Sequence, residues 1–323
     1  MKFTNTTGIP PLLAGWLSID EYDYSKEDKT ISTTTLMKPI RQMILSKRYK
    51  ALPSAQIDVS TLVASSVGTA VHDSIERIWK SHLPQILLNL NIPNALHSKY
   101  VINPTELKKG DRPVYLENRR ARKVGEWTVS GKYDAVLDGQ LNDFKFTKTY
   151  SYMSESKGED YAIQGSVYRW LNPDIVTNDY IKINFIFGDF DKKETYRTGY
   201  PPAPAAYKEY QLYESDDTEQ WISERITEIN RCMDLPEADL PECTPEELWM
   251  APSTFKYYKN PENRKRSTGN FDTFDEALSR KVADGNVGVV VEIQGEPKAC
   301  VHCEGAALCK QKDKYIAQGI LKL

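Results

Sequence analysis

The segment from residue 127 to residue 146 constrains the fold most strongly, because it contains two β-prone runs around a turn signal. The dipeptide Asp138-Gly139 separates the two runs, and Asp-Gly between alternating residues is a strong signal for a tight hairpin turn. The sequence therefore predicts one strand over residues 127–137, a second over residues 140–146, and antiparallel pairing between them.

This hairpin brings three ionisable residues together. Asp134 lies on the first strand and Asp143 on the second, while Lys145 shares a face with Asp143 because strand side chains alternate with a period of two. Two neighbouring carboxylates repel one another and favour a divalent cation such as Mg²⁺ or Mn²⁺, which prefer oxygen ligands. A lysine beside the ion can orient a water for attack on phosphorus. The pattern indicates phosphodiester hydrolysis, although an isolated Asp-x-Lys triplet is more often a solvated surface pattern.

A predicted helix over residues 65–83 carries a candidate metal ligand, His72. Glu76 follows His72 by four residues and shares its helix face, so it is a candidate hydrogen-bond partner of the imidazole or an exposed helix charge. Gly68, four residues before His72, is expected to let this helix approach another backbone closely.

A second predicted helix, residues 159–171, places Gln164 and Tyr168 four residues apart on one face. Both side chains can donate hydrogen bonds without carrying charge, which suits contact with a phosphate or a base. A half-buried polar face of the helix is the structural alternative.

Together, these motifs resemble the RecB-type branch of the PD-(D/E)XK nucleases. The motifs, in chain order, are Gly68-x-x-x-His72, Gly131-x-x-Asp134, Asp143-x-Lys145 and Gln164-x-x-x-Tyr168. The resemblance implies an α/β fold with a PD-(D/E)XK restriction-endonuclease-like core, in which helices flank a mixed central sheet. It also implies roles for the site residues: metal binding by His72, Asp134, Asp143 and the carbonyl of Phe144, service of the attacking water by Lys145, and substrate contact by Gln164 and Tyr168. Many members have glutamate where this chain has Asp143, and Glu117 is given a supporting role at most.

The C-terminal region contains a cysteine cluster, Cys300, Cys303 and Cys309. Thiolates at this spacing suit zinc or an iron–sulfur cluster, and both need a fourth ligand. Cys243 is preferred for that position over Cys232, which lies on a predicted helix, and His302 is a weaker candidate.

The cysteine spacing resembles that of the iron–sulfur nucleases of the same family, the AddB-type and CRISPR-associated RecB-like enzymes. The resemblance implies a 4Fe-4S cluster, with Zn²⁺ as the alternative. In those enzymes the lone cysteine precedes the nuclease core, whereas residues 1–231 of this chain contain no cysteine.

Composition places the chain among ordinary globular proteins, with 40% hydrophobic and 27% charged residues and a net charge of −3. The acidic balance argues against nucleic-acid binding by bulk charge, so DNA contact would depend on local basic runs at residues 119–123 and 264–266. The predicted regions are a helical N-terminal cap (1–67), the nuclease core (68–235) and a cysteine-cluster region (236–323). Within the cap, Arg41, Lys47 and Arg48 are expected to be available to phosphates.

These features predict a metal-dependent DNA exonuclease of recombination, repair or replication, similar to stand-alone family members that include bacteriophage proteins. The expected partners are DNA ends or single strands, with a helicase or recombination protein as a further candidate, because the sequence has no ATPase phosphate-binding loop. A structure-specific endonuclease and a non-catalytic DNA-binding subunit are the alternatives, and a redox or zinc-dependent regulator leaves the linked motifs unexplained. No apolar run or leader segment is evident, so the expected location is a cytoplasm, that of the host if the protein is phage-encoded, without membrane partners.

Overall fold

The computed structural model describes residues 2–20 and 27–322, which fall into two compact units; residues 21–26 of the predicted N-terminal cap lie outside this description. The units are a core unit, residues 2–38 and 56–228, and a cysteine unit, residues 39–55 together with residues from 229 onward. The domain boundaries expected near residues 67 and 235 stay predictions.

The described residues form mixed α/β structure. The strands are β1 (Lys2–Thr4), β2 (Thr30–Ser32), β3 (Gln56–Asp58), β4 (Tyr100–Ile102), β5 (Arg112–Leu116), β6 (Arg119–Val124), β7 (Trp127–Lys132), β8 (Ala135–Leu137), β9 (Gln140–Thr147), β10 (Tyr180–Phe187), β11 (Ala205–Gln211), β12 (Thr254–Tyr258), β13 (Gly269–Phe271) and β14 (Val289–Ile293). The α-helices are α1 (Pro11–Leu17), α2 (Thr33–Leu36), α3 (Ile40–Lys50), α4 (Val63–Asn89), α5 (Asn94–His97), α6 (Thr149–Ser154), α7 (Gly158–Leu171), α8 (Ser215–Cys232), α9 (Phe274–Ala283) and α10 (Lys310–Ala317).

A six-stranded mixed sheet with the order β11-β10-β9-β8-β5-β4 forms the centre of the core unit. Its β9–β10 and β4–β5 pairs are parallel, and the other neighbours are antiparallel. A smaller sheet, β2-β7-β6, lies in the same unit. Strand β10 is the most regular, since buried and partly buried residues alternate along it as expected for a strand with one face against the core.

The predicted hairpin is confirmed by the antiparallel pairing of β8 and β9, in which Ala135 faces Asn142. Asp138 and Gly139 both have positive φ, as a two-residue primed turn requires. The first arm differs from the prediction, because residues 127–137 form two strands in different sheets rather than one strand. The chain changes sheet at Tyr133 and Asp134, which leaves Asp134 immediately before β8.

Helices cover the sheet on the two faces of β9. On one face Leu141 packs in a cluster with Tyr161 and Tyr168 of α7. On the other face Phe144 packs with Trp79 of α4 around Val114, Leu116 and Ala135. In α7, a Cβ at Gly165 would lie 2.6 Å from Leu212 and 2.9 Å from Ile181, so glycine permits this close approach to the sheet. The sequence predicts such an approach at Gly68 instead, but no atom of the described residues lies within 4 Å of a Cβ there, so that prediction is wrong.

Prolines explain the main differences between the predicted and observed helices. The predicted helix 65–83 is the first part of α4, which continues to Asn89 through a kink at His82, two residues before Pro84. Similarly, residues 33–50 form two helices rather than one, because Pro39 separates α2 from α3; the side chain of Ser32 caps the first of them. Among the described residues, no helix is both long and apolar enough to cross a membrane.

The cysteine unit contains the antiparallel sheet β13-β12-β14, with α9 against it, and a series of short turns that carries the clustered cysteines. Helix α3 belongs to this unit and packs against the segment between Cys303 and Cys309, since a Cβ at Gly305 would lie 2.7 Å from Leu45. Arg41 is buried in the unit, and Arg48 donates to the carbonyls of Met233 and Leu235. The expectation that these two arginines are available to phosphates is therefore wrong.

A network of hydrogen bonds at Asp58 holds the N-terminal strand of the core unit. Strands β1 and β3 pair in parallel, and the Asp58 carboxylate accepts bonds from Thr4, Thr6 and Ser60. The hydrogen bonds from Ser60 and Thr6 hold the pKa of Asp58 well below its usual range. The ionised carboxylate is therefore more favourable in the folded than in the unfolded chain.

We predict that Asp58→Asn lowers the thermal midpoint of the protein at neutral pH. A depressed pKa contributes stability above the unfolded pKa of about 3.9, and this contribution is lost as the pH falls through the folded value. The difference in midpoint between variant and wild type should therefore shrink as the pH falls below about 4. Circular-dichroism melts over this range test it, with the exposed Asp272→Asn as the control. A difference that stays constant or grows with acidity would contradict the assignment.

Candidate metal centre

Strand ends bring the acidic residues of the core unit together. Leu116, the last residue of β5, pairs with Ala135 of β8, so Glu117 and Asp134 are neighbours beyond the paired residues. Glu117 has a φ of 52°, a left-handed conformation uncommon for glutamate, and its amide donates to the carbonyl of Asp134 at 3.0 Å. Strained backbone of this kind is concentrated at functional sites.

His72 of α4 completes a group of three candidate ligands with Glu117 and Asp134. One ligand atom from each residue lies within 4.8 Å of the others. Nδ1 of His72 is 3.3 Å from Oδ1 of Asp134 and 3.9 Å from Oε1 of Glu117. Ligand atoms on one Mg²⁺ are about 3–4 Å apart, given bond lengths of about 2.1 Å in an octahedron, so a small adjustment fits the group to the ion.

The other ring nitrogen of His72 fixes the orientation of the imidazole. Nε2 lies 2.8 Å from the carbonyl oxygen of Phe144, while the amide of Phe144 donates to Oδ2 of Asp134 at 2.8 Å. Both ring nitrogens therefore face acceptors, an arrangement suited to the protonated imidazole. Burial lowers the pKa of His72, but the hydrogen bond and charge of Asp134 and the Phe144 carbonyl outweigh burial and raise it to about 9.

Asp143 and Lys145 lie beside this group on the α7 face of β9. Asp143 is 2% exposed, and its Oδ2 is 2.8 Å from Nζ of Lys145 without a well-directed hydrogen bond. Burial raises the pKa of Asp143. Burial lowers the pKa of Lys145, but the charges of Asp143 and Asp134 outweigh it, so the net shift is upward. A buried carboxylate oxygen with unused lone pairs is an additional fit for a cation.

Gln164 and Tyr168 of α7 support Asp143 from the protein interior. Nε2 of Gln164 lies 3.2 Å from Oδ1 of Asp143 and 3.3 Å from the hydroxyl of Tyr168. Both side chains are buried, and they contact the Asp143 carboxylate and each other. Their expected contact with substrate stays a prediction.

The charges at the site balance only when His72 is protonated. Lys132 pairs with Glu117 at 2.7 Å, and Lys145 lies beside Asp143. Asp134 is the carboxylate without a lysine, and its partners are the imidazole and an amide. A divalent cation that displaces the proton of His72 would supply the positive charge beside Asp134 in its place.

The structure brings the sequence-predicted residues His72, Asp134, Asp143 and Lys145 together, but the three-ligand group contains Glu117 rather than Asp143. The sequence interpretation gave Glu117 a supporting role at most, because a lone acid between strands has no local pattern. The Phe144 carbonyl, expected as a metal ligand, lies against Nε2 of His72. Glu76, considered as a partner of His72, forms an ion pair with Lys80 instead.

No protein family and no curated protein matches the chain. Two solved structures are similar to part of it. The crystal structure of SSO0001 is 16% identical with a TM-score of 0.41, and the match covers 67% of this chain and 83% of that chain. The crystal structure of a phage-related exonuclease from Haemophilus somnus 129PT is 13% identical with a TM-score of 0.29, over 62% of this chain and 92% of that chain. At such low TM-scores neither likeness carries weight, and the chain is assigned to no family.

The cysteine unit contains a second candidate site. Cys300 and Cys309 are buried, and Cys243 packs against the apolar cluster that includes Cys300. Buried Gln311 joins Cys243 to the segment after Cys309, since it accepts from the amide of Cys243 at 2.8 Å and donates to its carbonyl at 2.9 Å. Cys232 is fully buried.

The cysteine side chains influence one another electrostatically. Burial raises the pKa of Cys243 to about 12, and the charges of Glu247, Cys309 and Cys303 add to this effect. Burial likewise raises the pKa of Cys300 to about 11, with contributions from Cys309 and Cys303. A bound cation or cluster would offset this effect at Cys243 and Cys300, because it stabilises their thiolates.

The two basic runs have different environments. In residues 119–123, on β6, Arg120 pairs with Asp174, while Arg122 pairs with Glu219 at 3.1 Å and stacks on Trp170 at 4.3 Å. The charges of these two arginines are therefore already matched by acids of the core unit. Residues 264–266, in contrast, are exposed in the loop between β12 and β13, and no carboxylate partner is found for them within the described ranges.

We predict that Glu117→Gln weakens Mn²⁺ binding by at least about tenfold, because it removes a charged ligand from the group of three. Glu76→Gln is the matched control, since Glu76 lies one helical turn from His72 but pairs with Lys80. Isothermal titration of the metal-free protein measures both affinities. Equal affinities for the two variants would exclude Glu117 as a ligand.

Proposed function

We propose that the chain is a divalent-metal-dependent DNA nuclease with a PD-(D/E)XK-type centre. The observation that carries this proposal is the convergence of His72, Glu117 and Asp134 within 4.8 Å beside buried Asp143 and half-buried Lys145. Acids, imidazole and lysine in this arrangement match the requirements of phosphodiester hydrolysis, an activated water and compensation of developing negative charge.

His72, Glu117, Asp134 and Asp143 would hold the ion. Bound Mg²⁺ or Mn²⁺ would lower the pKa of a water and neutralise charge on the phosphate. Lys145 keeps its proton at Nζ, because its pKa is raised, and donates hydrogen bonds that orient the water and stabilise charge on the phosphate oxygens. The Phe144 carbonyl orients the imidazole, or serves as a ligand itself once Nε2 loses its proton.

Gln164 would position Asp143. It donates to Oδ1 and leaves Oδ2 directed towards Lys145. Tyr168 in turn lies within hydrogen-bonding distance of Gln164. Substrate contact by these two residues requires an opening of their buried environment.

We favour an exonuclease on DNA ends or single strands, in recombination, repair or replication. The sequence has no ATPase phosphate-binding loop, so a helicase or a recombination protein would supply opened strands. An inactive binding subunit is disfavoured, because the acids and the lysine are all present. An endonuclease shares the same chemistry and differs in how DNA reaches the metal.

The cysteine unit would hold a 4Fe-4S cluster through Cys243, Cys300, Cys303 and Cys309, with Zn²⁺ as the alternative. Thiolate sulfurs can hold either group, and metal analysis of the purified protein distinguishes the cluster from the ion. The role of either group would be structural.

We expect Lys145→Ala to lower the rate of DNA cleavage by a factor on the order of 10²–10³, because a preorganised donor at the phosphate is lost. Lys148→Ala, at an exposed lysine on the same segment, should cleave like wild type. The measurement is Mg²⁺- or Mn²⁺-dependent digestion of end-labelled linear DNA and of circular DNA. Digestion of linear DNA alone supports the exonuclease, and cutting of circles supports the endonuclease. Wild-type rates in Lys145→Ala would refute the proposed centre, and a metal-loaded wild type without activity would favour a binding subunit.

The loop between β12 and β13 is the best candidate for contact with DNA phosphates. Hydrogen bonds from Thr268 to Tyr257 and from Lys259 to Thr268 close it at its base. Arg264, Lys265 and Arg266 project from this loop without a carboxylate partner in the residues described, and Glu262 is the one acid among residues 259–268. The side chains of this exposed loop are therefore better placed to bind a polyanion than Arg120 and Arg122 of β6, which already pair with carboxylates.

Replacing Arg264, Lys265 and Arg266 together by alanine should weaken DNA binding and make it less salt-dependent. Each lost phosphate contact lowers the slope of log K against log salt by about 0.9 on duplex DNA. Fluorescence anisotropy in the Lys145→Ala background measures this without cleavage. Glu262→Ala, in the same loop, should leave affinity unchanged or increased. An unaltered slope in the triple variant would exclude this surface.

A further inference from the structure

Arg41 is a buried cation whose role is not explained by the proposed nuclease centre. It lies in the first turn of α3, is 4% exposed and belongs to the cysteine unit. A charged group is retained in such a position only when it is paired and hydrogen-bonded.

The partners of Arg41 lie on the segment that leads to Cys243. Its guanidinium donates to the carbonyls of Leu240 at 2.9 Å, Pro241 at 3.1 Å and Glu237 at 3.2 Å, and it forms an ion pair with the carboxylate of Glu237. These hydrogen bonds from the planar guanidinium fix the conformation of residues 237–241, a turn that ends two residues before Cys243.

The same network reaches the segment of Cys309. Oε1 of Glu237 accepts from the amide of Lys310 at 2.9 Å, and Nη1 of Arg41 lies 4.0 Å from Sγ of Cys309. Arg41 and Glu237 therefore join the two chain segments that carry Cys243 and Cys309, which are 66 residues apart.

We propose that Arg41 is a positioning residue of the cysteine site, which holds Cys243 and Cys309 in place through Glu237 and supplies a permanent positive charge beside the Cys309 sulfur. The proposal rests on the metal or cluster proposed above for these cysteines. Thiolate ligands bring negative charge into a buried site, and a guanidinium that is always protonated offsets part of it. Cys243 needs such support because it is distant in sequence from the three clustered cysteines, which are held by their own short turns.

Arg48 provides a matched control. It lies on the same helix and also donates to backbone carbonyls, those of Met233 and Leu235, but no contact joins it to a cysteine within the described residues. Loss of either arginine removes buried hydrogen bonds, whereas only Arg41 contacts the cysteine site.

The experiment compares Arg41→Gln and Arg48→Gln with wild type, as full-length protein purified without oxygen. Iron, sulfide and zinc content and the rate of metal loss to a chelator are measured on the loaded protein. Hydrogen–deuterium exchange at residues 237–243 and 309–311 is measured on the reduced, metal-free protein. We expect Arg41→Gln to lose metal at least about tenfold faster and to exchange faster at both segments, and Arg48→Gln to match wild type in both measurements.

A second variant keeps the proposal testable if Arg41→Gln does not fold. Arg41→Met combined with Glu237→Met removes the ion pair without leaving a buried charge, and it should fold while losing metal faster than wild type. Wild-type metal retention and exchange in either folded variant would overturn the proposal. Wild-type protein without iron or zinc would instead refute the proposed cysteine site, and the exchange data would still decide whether Arg41 positions these segments.

Discussion

The register of the β8–β9 hairpin is the constraint on which the candidate metal centre depends. Ala135 pairs with Asn142, so Asp134 and Asp143 are opposite one another at the next position. The amide of Phe144 donates to Asp134 at 2.8 Å, which places that carboxylate across from the second strand. A slip of one residue would turn Asp143 and Lys145 to the α4 face and Phe144 towards α7. The apolar clusters on both faces of β9 oppose such a slip, so core packing also specifies the chemistry.

Three carboxylates, those of Glu117, Asp134 and Asp143, lie close together at the candidate metal centre and repel one another. Neighbouring cations offset this repulsion differently for each carboxylate. Glu117 and Asp143 each lie beside a lysine, while Asp134 depends on His72. Both nitrogens of the imidazole face acceptors, so a proton on His72 occupies the place in the charge balance that a cation would take. Metal binding and protonation of this ring therefore compete, because only a deprotonated nitrogen is a ligand. This is why the imidazole, rather than another lysine, suits the position next to Asp134.

The sequence predicted the parts of the site that depend on local patterns. Alternation, an Asp-Gly turn and helical spacing are enough to place Asp143, Lys145, Gln164 and Tyr168 on the elements where the structure has them, whereas Asp134 lies between β7 and β8 rather than on the predicted strand. The sequence does not predict Glu117 as a metal ligand, because its place in the site results from the pairing of β5 with β8 and from a left-handed backbone conformation. Likewise, the break within residues 127–137 follows Gly131, the one glycine of that run, whereas the β-prone residues around it predict a single continuous strand.

The two basic runs also show that a local sequence pattern does not reveal partners distant in the chain. Residues 119–123 and 264–266 are both short runs of arginine and lysine, and their composition does not show which of them is paired in the fold. The partners of the first run, Asp174 and Glu219, are supplied by segments 54 and 97 residues further along the chain. Arg41 is a similar case, because a cation expected to meet phosphates is buried by carbonyls from residues 237–241. Hydrogen-bond acceptors distant in sequence therefore decide whether an arginine is available to a polyanion. A basic run becomes a candidate DNA contact only when the fold does not pair its residues with such acceptors.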